Sequence, residues 1–218
     1  MYQRLTDIDV KSLREPRNIA ACEQTSQLYV ADNWECIWPV SADGTDVKRW
    51  WFRSHSLSVT STRLLMTSDD NSQLMQLDAV GNELRRVQLP RYTTPLHAVE
   101  SPTGTFVVSH KNKRLKPRYQ VSEVDTGGKV LRQFNGSRLS SLGKPRRIAV
   151  DSHGNIFVAD TYNRRILLLD AQLKLRRVII DEDQLNRKEP RRLCYTERTG
   201  QLLVGWVHSI ATFDVLRR

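Results

Sequence analysis

The chain repeats itself, and self-similarity at a fixed period narrows the possible folds before any other property is considered. Pro16-Arg17-Asn18-Ile19-Ala20, Pro145-Arg146-Arg147-Ile148-Ala149-Val150 and Pro190-Arg191-Arg192-Leu193-Cys194 each join a proline and a basic residue to an apolar run. Pro95-Leu96-His97-Ala98-Val99 belongs with them, and Ser54-His55-Ser56-Leu57-Ser58-Val59 is a member without the proline. The units start near 16, 54, 95, 145 and 190, so they are 38, 41, 50 and 45 residues apart.

A second short apolar run follows each anchor: Leu28–Ala31, Leu64–Met66, Phe106–Val108, Ile156–Ala159 and Leu202–Val204. Third runs follow at Cys36–Trp38, Leu74–Leu77, Tyr119–Val121, Ile166–Leu169 and Ile210–Phe213, and fourth runs at Val47–Trp50, Leu84–Val87, Val130–Phe134 and Leu175–Val178. Runs of this length and composition, bounded by turn formers, read as strands. Four strands per unit of about 40–45 residues is the period of a β-propeller, in which a blade buries its faces only against its neighbours. The expected fold is all-β: a propeller of four-stranded antiparallel blades, five in number or an incomplete six-bladed ring, forming a single domain over 1–218. The fifth unit stops after its third strand. Residues 1–7 precede the first anchor where a fourth strand belongs, and are expected to close the last blade and cover its open edge.

Composition agrees with a packed core and adds a charge. Hydrophobic residues are 39%, and 34 Lys plus Arg against 24 Asp plus Glu give a formal charge of +10. No apolar run is long enough to cross a membrane as a helix, and the N-terminus has no apolar stretch of secretory type. With Cys22, Cys36 and Cys194 odd in number and widely spaced, the expectation is an intracellular chain with reduced thiols, cytoplasmic or nuclear, with no membrane partner.

The fourth unit is the most regular. Pro145-Arg146-Arg147-Ile148-Ala149-Val150-Asp151, then Gly154-Asn155-Ile156-Phe157-Val158-Ala159-Asp160-Thr161-Tyr162-Asn163-Arg164-Arg165-Ile166, resembles an NHL repeat. The first unit is similar through Pro16, Ile19-Ala20 and Tyr29-Val30-Ala31-Asp32-Asn33, whereas Ser68, Ser109 and Trp206 stand where the family prefers Asp. The resemblance implies a propeller like the C-terminal modules of TRIM-type ubiquitin ligases, which bind RNA or protein, and like a lyase and receptor-like proteins built on the same repeat. It also raises the expectation that the chain belongs to a larger TRIM-type protein, although it contains no RING or B-box cluster.

In a propeller, the loops entering strand one and those joining strands two and three share a face. Sorting by that rule puts about twenty of the 34 basic residues on one face and leaves Asp43, Asp46, Asp78, Glu83, Asp125, Asp151 and Asp170 among the acids on the other. Concentrated positive potential attracts polyanions. Arg17, Arg146 and Arg191 share the position after the anchor proline, and Arg147 and Arg192 follow two of them. Arg164 and Arg165, and Lys111, Lys113 and Arg114 of the densest basic run, occupy strand two to strand three loops. Two residues past the family's Asp position stand Trp34, Asp70, Lys111, Tyr162 and His208, of which Trp34, Tyr162 and His208 are flat enough to stack on bases. The expected partner is single-stranded RNA on this face, richest in blades four and five. An acidic protein surface is the alternative.

Enzymatic constellations are missing: there is no His-Glu-x-x-His, Cys-x-x-Cys, Gly-x-Ser-x-Gly or phosphate-binding glycine loop. The expectation is a non-enzymatic module without cofactor or metal. A channel-metal lyase or hydrolase using His97 and His55 with His110 or His208 is the remote alternative. Asp32, Asp151 and Asp160 are expected to bond loop backbone rather than act as acids or bases.

Overall fold

The computed structural model describes residues 13, 15–22, 24–33, 36–41, 43–54, 56–68, 71–114, 118–137 and 140–215. Its strands form five successive antiparallel sheets, each a meander of neighbours in sequence. Blade 1 contains β1 (Asn18–Cys22), β2 (Gln27–Ala31) and β3 (Ile37–Ser41); blade 2 contains β4 (Ser56–Thr60), β5 (Arg63–Ser68), β6 (Gln73–Leu77) and β7 (Glu83–Gln88). Blade 3 contains β8 (Thr93–Glu100), β9 (Phe106–Asn112), β10 (Arg118–Val124) and β11 (Val130–Phe134), and leads through a small hairpin, β12 (Gly136–Ser137) and β13 (Ser140–Ser141), to blade 4. Blade 4 contains β14 (Pro145–Val150), β15 (Ile156–Asp160), β16 (Arg165–Leu169) and β17 (Leu175–Ile180); blade 5 contains β18 (Arg192–Thr196), β19 (Gln201–Gly205) and β20 (Ile210–Asp214).

The fold is therefore the expected all-β propeller of five blades, with one correction in blade 1. Its fourth run, Val47–Trp50, is reduced to two isolated bridges, Ile37 with Trp50 and Val40 with Val47. The reason is local: the Asp43 carboxylate and Ser41 hydroxyl hold a tight turn at Thr45 and Asp46, and Arg49 turns onto the Trp51 ring at 3.8 Å. The proposed closing strand of blade 5, residues 1–7, lies outside the described residues.

Burial follows position in the blade. Every residue of β15 is buried, because a central strand has a neighbouring blade on each face. The outer strands β7, β11 and β17 are mostly exposed, which accommodates Arg85-Arg86 and Arg176-Arg177 there. Apolar cores lie between successive blades: Tyr29 and Ile37 against Leu64 and Leu77, Leu65 and Leu74 against Phe106 and Val108, Val107 and Val121 against Ile148 and Leu167, and Phe157 and Ile166 against Leu202 and Val204. An ion pair adds to them: buried Glu100 of blade 3 meets exposed Arg63 of blade 2 at 2.9 Å.

Blades 5 and 1 meet differently. Arg192 Nη2 donates to the Arg17 carbonyl at 2.8 Å, while on the faces turned away from blades 2 and 4, Ile19 is 62% exposed and Cys194 is exposed.

The acidic bias of one face has a structural cause. Asp78, Asp125, Asp151 and Asp170 each accept two backbone N–H groups of their own turns, at 2.8–3.0 Å. These carboxylates shape the hairpins that join the strands.

Candidate functional site

The inner strands start at one end of the propeller axis, so the residues around the anchor prolines converge there. Arg17, Lys144, Arg146, Arg147 and Arg192 surround a cavity of about 420 Å³, with Pro16 and Leu96 as its apolar lining. Blades 1, 3, 4 and 5 contribute, and blade 2 enters from below through Ser56, whose Oγ accepts from Arg147 Nη1 at 3.2 Å. Arg147 thus crosses the channel under the mouth.

Arg147 is only 8% exposed. Its recorded hydrogen bonds go to Ser56 Oγ and, at 3.4 Å, to the Arg146 carbonyl. Burial, then Arg192, then Arg146, push its guanidinium down to about 9, so it remains charged in neutral water. Arg192 is shifted in the same direction, by burial and by Arg146 and Arg191. Among the described residues, no carboxylate lies within ion-pairing distance of Arg146, Arg147 or Arg192. Arg146 Nε is buried with no hydrogen-bond partner.

His97 lies beside this cluster and is neutral. Burial, with Arg147 and Arg192 nearby, holds its imidazole well below the usual histidine range. Its Nδ1 accepts from the Ile148 N–H at 3.4 Å, and it also hydrogen-bonds the backbone of Leu57. One imidazole of blade 3 therefore ties blade 2 to blade 4. Among the described residues, no three His, Cys, Asp or Glu side chains gather as a metal set, and His55 lies outside those residues.

Beside the mouth is an aromatic shoulder. Tyr162 is 53% exposed and meets Tyr119 edge-on, with ring centroids 6.5 Å apart. Lys144 Nζ stands 5.7 Å from the Tyr162 ring centre and Lys111 Nζ 5.9 Å from that of Tyr119. Lys111, Tyr119, Tyr162, Lys144 and Arg146 thereby link the blade 3 loop to the mouth.

The remaining expected residues are dispersed. Lys113 and Arg114 are exposed in the β9–β10 loop, and His208 is exposed in the β19–β20 turn. Arg164 faces Glu182 at 3.9 Å, and Arg191 pairs with Glu189 at 3.1 Å. Arg165 is committed to the fully buried Asp160 at 2.8 Å. Trp34 lies outside the described residues. Asp160 also accepts the Gly143 N–H at 2.7 Å and Asn163 Nδ2 at 2.8 Å, while Asp32 accepts the Cys36 N–H and Trp38 Nε1. Both carboxylates organise loops, as their positions suggest. Tyr119 and Lys144 were not among the expected site residues, although Lys144 carried a signal: the residue before the anchor proline is Glu15, Thr94 or Glu189 in other blades, and is basic in blade 4.

Many solved structures share this fold. A hydrazine synthase of Kuenenia stuttgartiensis superposes with a TM-score of 0.63 at 10% identity, covering 92% of this chain and 83% of that one. A streptogramin B lyase gives 0.65 at 15% identity, over 92% and 68% of the two chains. A catalytically inactive virginiamycin B lyase from Staphylococcus aureus, with quinupristin, gives 0.65 at 13%, over 96% and 73%. No curated protein matches the sequence. The family model for the NHL repeat matches residues 142–167, the stretch that supplies Lys144, Arg146, Arg147 and Tyr162. The chain is thus a five-bladed β-propeller whose fourth blade carries a match to the NHL repeat.

Proposed function

We propose that this propeller is a non-enzymatic recognition module that binds single-stranded RNA across the basic mouth and the Tyr119–Tyr162 shoulder. The observation that carries the reading is the group Arg146, Arg147 and Arg192, concentrated around one cavity without a carboxylate partner among the described residues. Phosphates would neutralise it, and the exposed tyrosine offers a flat face to a base. With about four phosphates engaged, affinity for a single strand falls with a log–log salt slope of about −2.8, or roughly 50-fold between 50 and 200 mM salt. Fluorescence anisotropy with a random single-stranded RNA measures this; the absence of binding at low salt removes the RNA reading. Arg146→Glu and Arg192→Glu should each weaken binding, whereas Lys129→Gln on the opposite face should not.

A second reading, a protein-interaction module, rests on a different place. Trp51 is 72% exposed beneath the Arg49 guanidinium and lines a separate groove with Phe52 and Arg53. Aromatic and arginine side chains in such positions anchor protein interfaces. A partner captured by the wild type and lost with Trp51→Ala, but retained with Arg192→Glu, would favour it.

A further inference from the structure

The mouth has features that a flat strand-binding face does not need. Its cationic groups approach one concave volume from blades 1, 4 and 5, and among the described residues no acidic side chain lines it. Arg147 sits at the floor rather than on the rim, more than nine-tenths buried, with two neutral oxygens as its recorded partners. A buried charge without a counterion carries a desolvation cost that nothing offsets. Beside it, Arg146 Nε is buried and unbonded. Such groups are satisfied by an anion that enters the cavity.

We propose that the mouth is a pocket for a phosphomonoester, its terminal oxygens received by Arg146, Arg147 and Arg192, with Arg17 and Lys144 at the rim. A monoester presents three terminal oxygens and leaves by one ester bond, which suits a concave site with donors on several sides. A phosphodiester presents two, and its chain must exit twice. The cavity of about 420 Å³ falls in the range of roughly 300–1,000 Å³ typical of small-ligand sites, so it holds more than the phosphate and leaves room for a sugar. This deepens the RNA reading by naming the group recognised. That group has two sources: a free phosphate compound, or the phosphorylated end of a strand.

Two measurements separate these sources. In the first, thermal unfolding of the full chain is followed in inorganic phosphate or a nucleoside 5′-monophosphate against chloride at equal ionic strength. In the second, short RNAs of one sequence with a 5′-phosphate, a 3′-phosphate or neither are compared by anisotropy. A saturable rise in midpoint with the phosphate compounds, lost in Arg192→Gln, supports the pocket with a free ligand. At least about a tenfold preference for one phosphorylated end supports it with a strand end. Arg147→Gln controls for folding: it removes the unpaired charge and keeps a donor for Ser56, so it should fold in phosphate-free buffer and lose the response. Phosphate binding without strand binding removes the RNA reading and leaves the pocket. Equal affinity for all three RNAs, with no phosphate-specific midpoint change, leaves the RNA reading and overturns the pocket.

Discussion

His110 should make the propeller acid-labile by an amount that can be calculated. It lies on β9, with Nε2 2.8 Å from Ser122 Oγ on β10 and Nδ1 buried without a partner. Burial pushes the imidazole down to about 4, against about 6.5 in an unfolded chain. The folded value is the lower one, so the unfolded state takes up its proton first as pH falls. The stability is complete above about pH 6.5 and is lost towards about pH 4. At about 1.36 kcal/mol per unit, the shift of roughly 2.5 units corresponds to about 3.4 kcal/mol, of which about 2.4 is lost between about pH 7 and pH 4.5. His97 is depressed too and likewise costs stability as pH falls, so a difference between two proteins is needed. His110→Gln keeps a group able to bond Ser122 and removes the titration. In urea unfolding at the two pH values, the wild type should lose about 2.4 kcal/mol more than the variant, roughly 1 M in midpoint. A difference below about 0.5 kcal/mol would refute the assignment.

Other expectations follow from single contacts. Asp160→Ala removes the buried carboxylate that holds partly exposed Arg165 and accepts from Gly143, and should cost about 1–3 kcal/mol in chemical denaturation. Gly128→Ala places a Cβ 2.1 Å from the Gln88 carbonyl oxygen at a φ of +87°, whereas Gly104→Ala, at +78°, meets nothing within 4 Å. Gly104→Ala should cost about 1 kcal/mol of backbone strain and Gly128→Ala clearly more, and equal melting midpoints would contradict this. Phe157→Ala vacates the contact with Tyr195, whose ring centroid is 4.8 Å away, and should cost about 3–5 kcal/mol.

The fold was legible because its signal is repetitive. Five anchors and five central runs each reported the same unit, so a weak member such as Ser54–Val59 was carried by its neighbours. Val47–Trp50 misled because apolar residues at strand spacing do not reveal that Asp43 and Ser41 have already set the chain turning. The site was legible in charge and less so in contacts. Counting from the anchor proline located Arg146, Arg147 and Arg192, since position in a repeat fixes position around an axis. It could not separate Arg165, held by Asp160, from Arg146, whose Nε is unbonded, because those fates depend on carboxylates brought near by tertiary packing. Tyr119 escaped notice because only the packing of blade 3 on blade 4 brings it to Tyr162.

The seam between blades 5 and 1 is where the last blade reaches the first. Among the described residues, four apolar clusters join successive blades, and blade 5 meets blade 1 through the hydrogen bond from Arg192 to the Arg17 carbonyl. In such a series each unit depends on its neighbours, so a contact between the first and last units couples the two ends of the array. The same two arginines line the mouth, so an anion held between them would act as the clasp of the necklace.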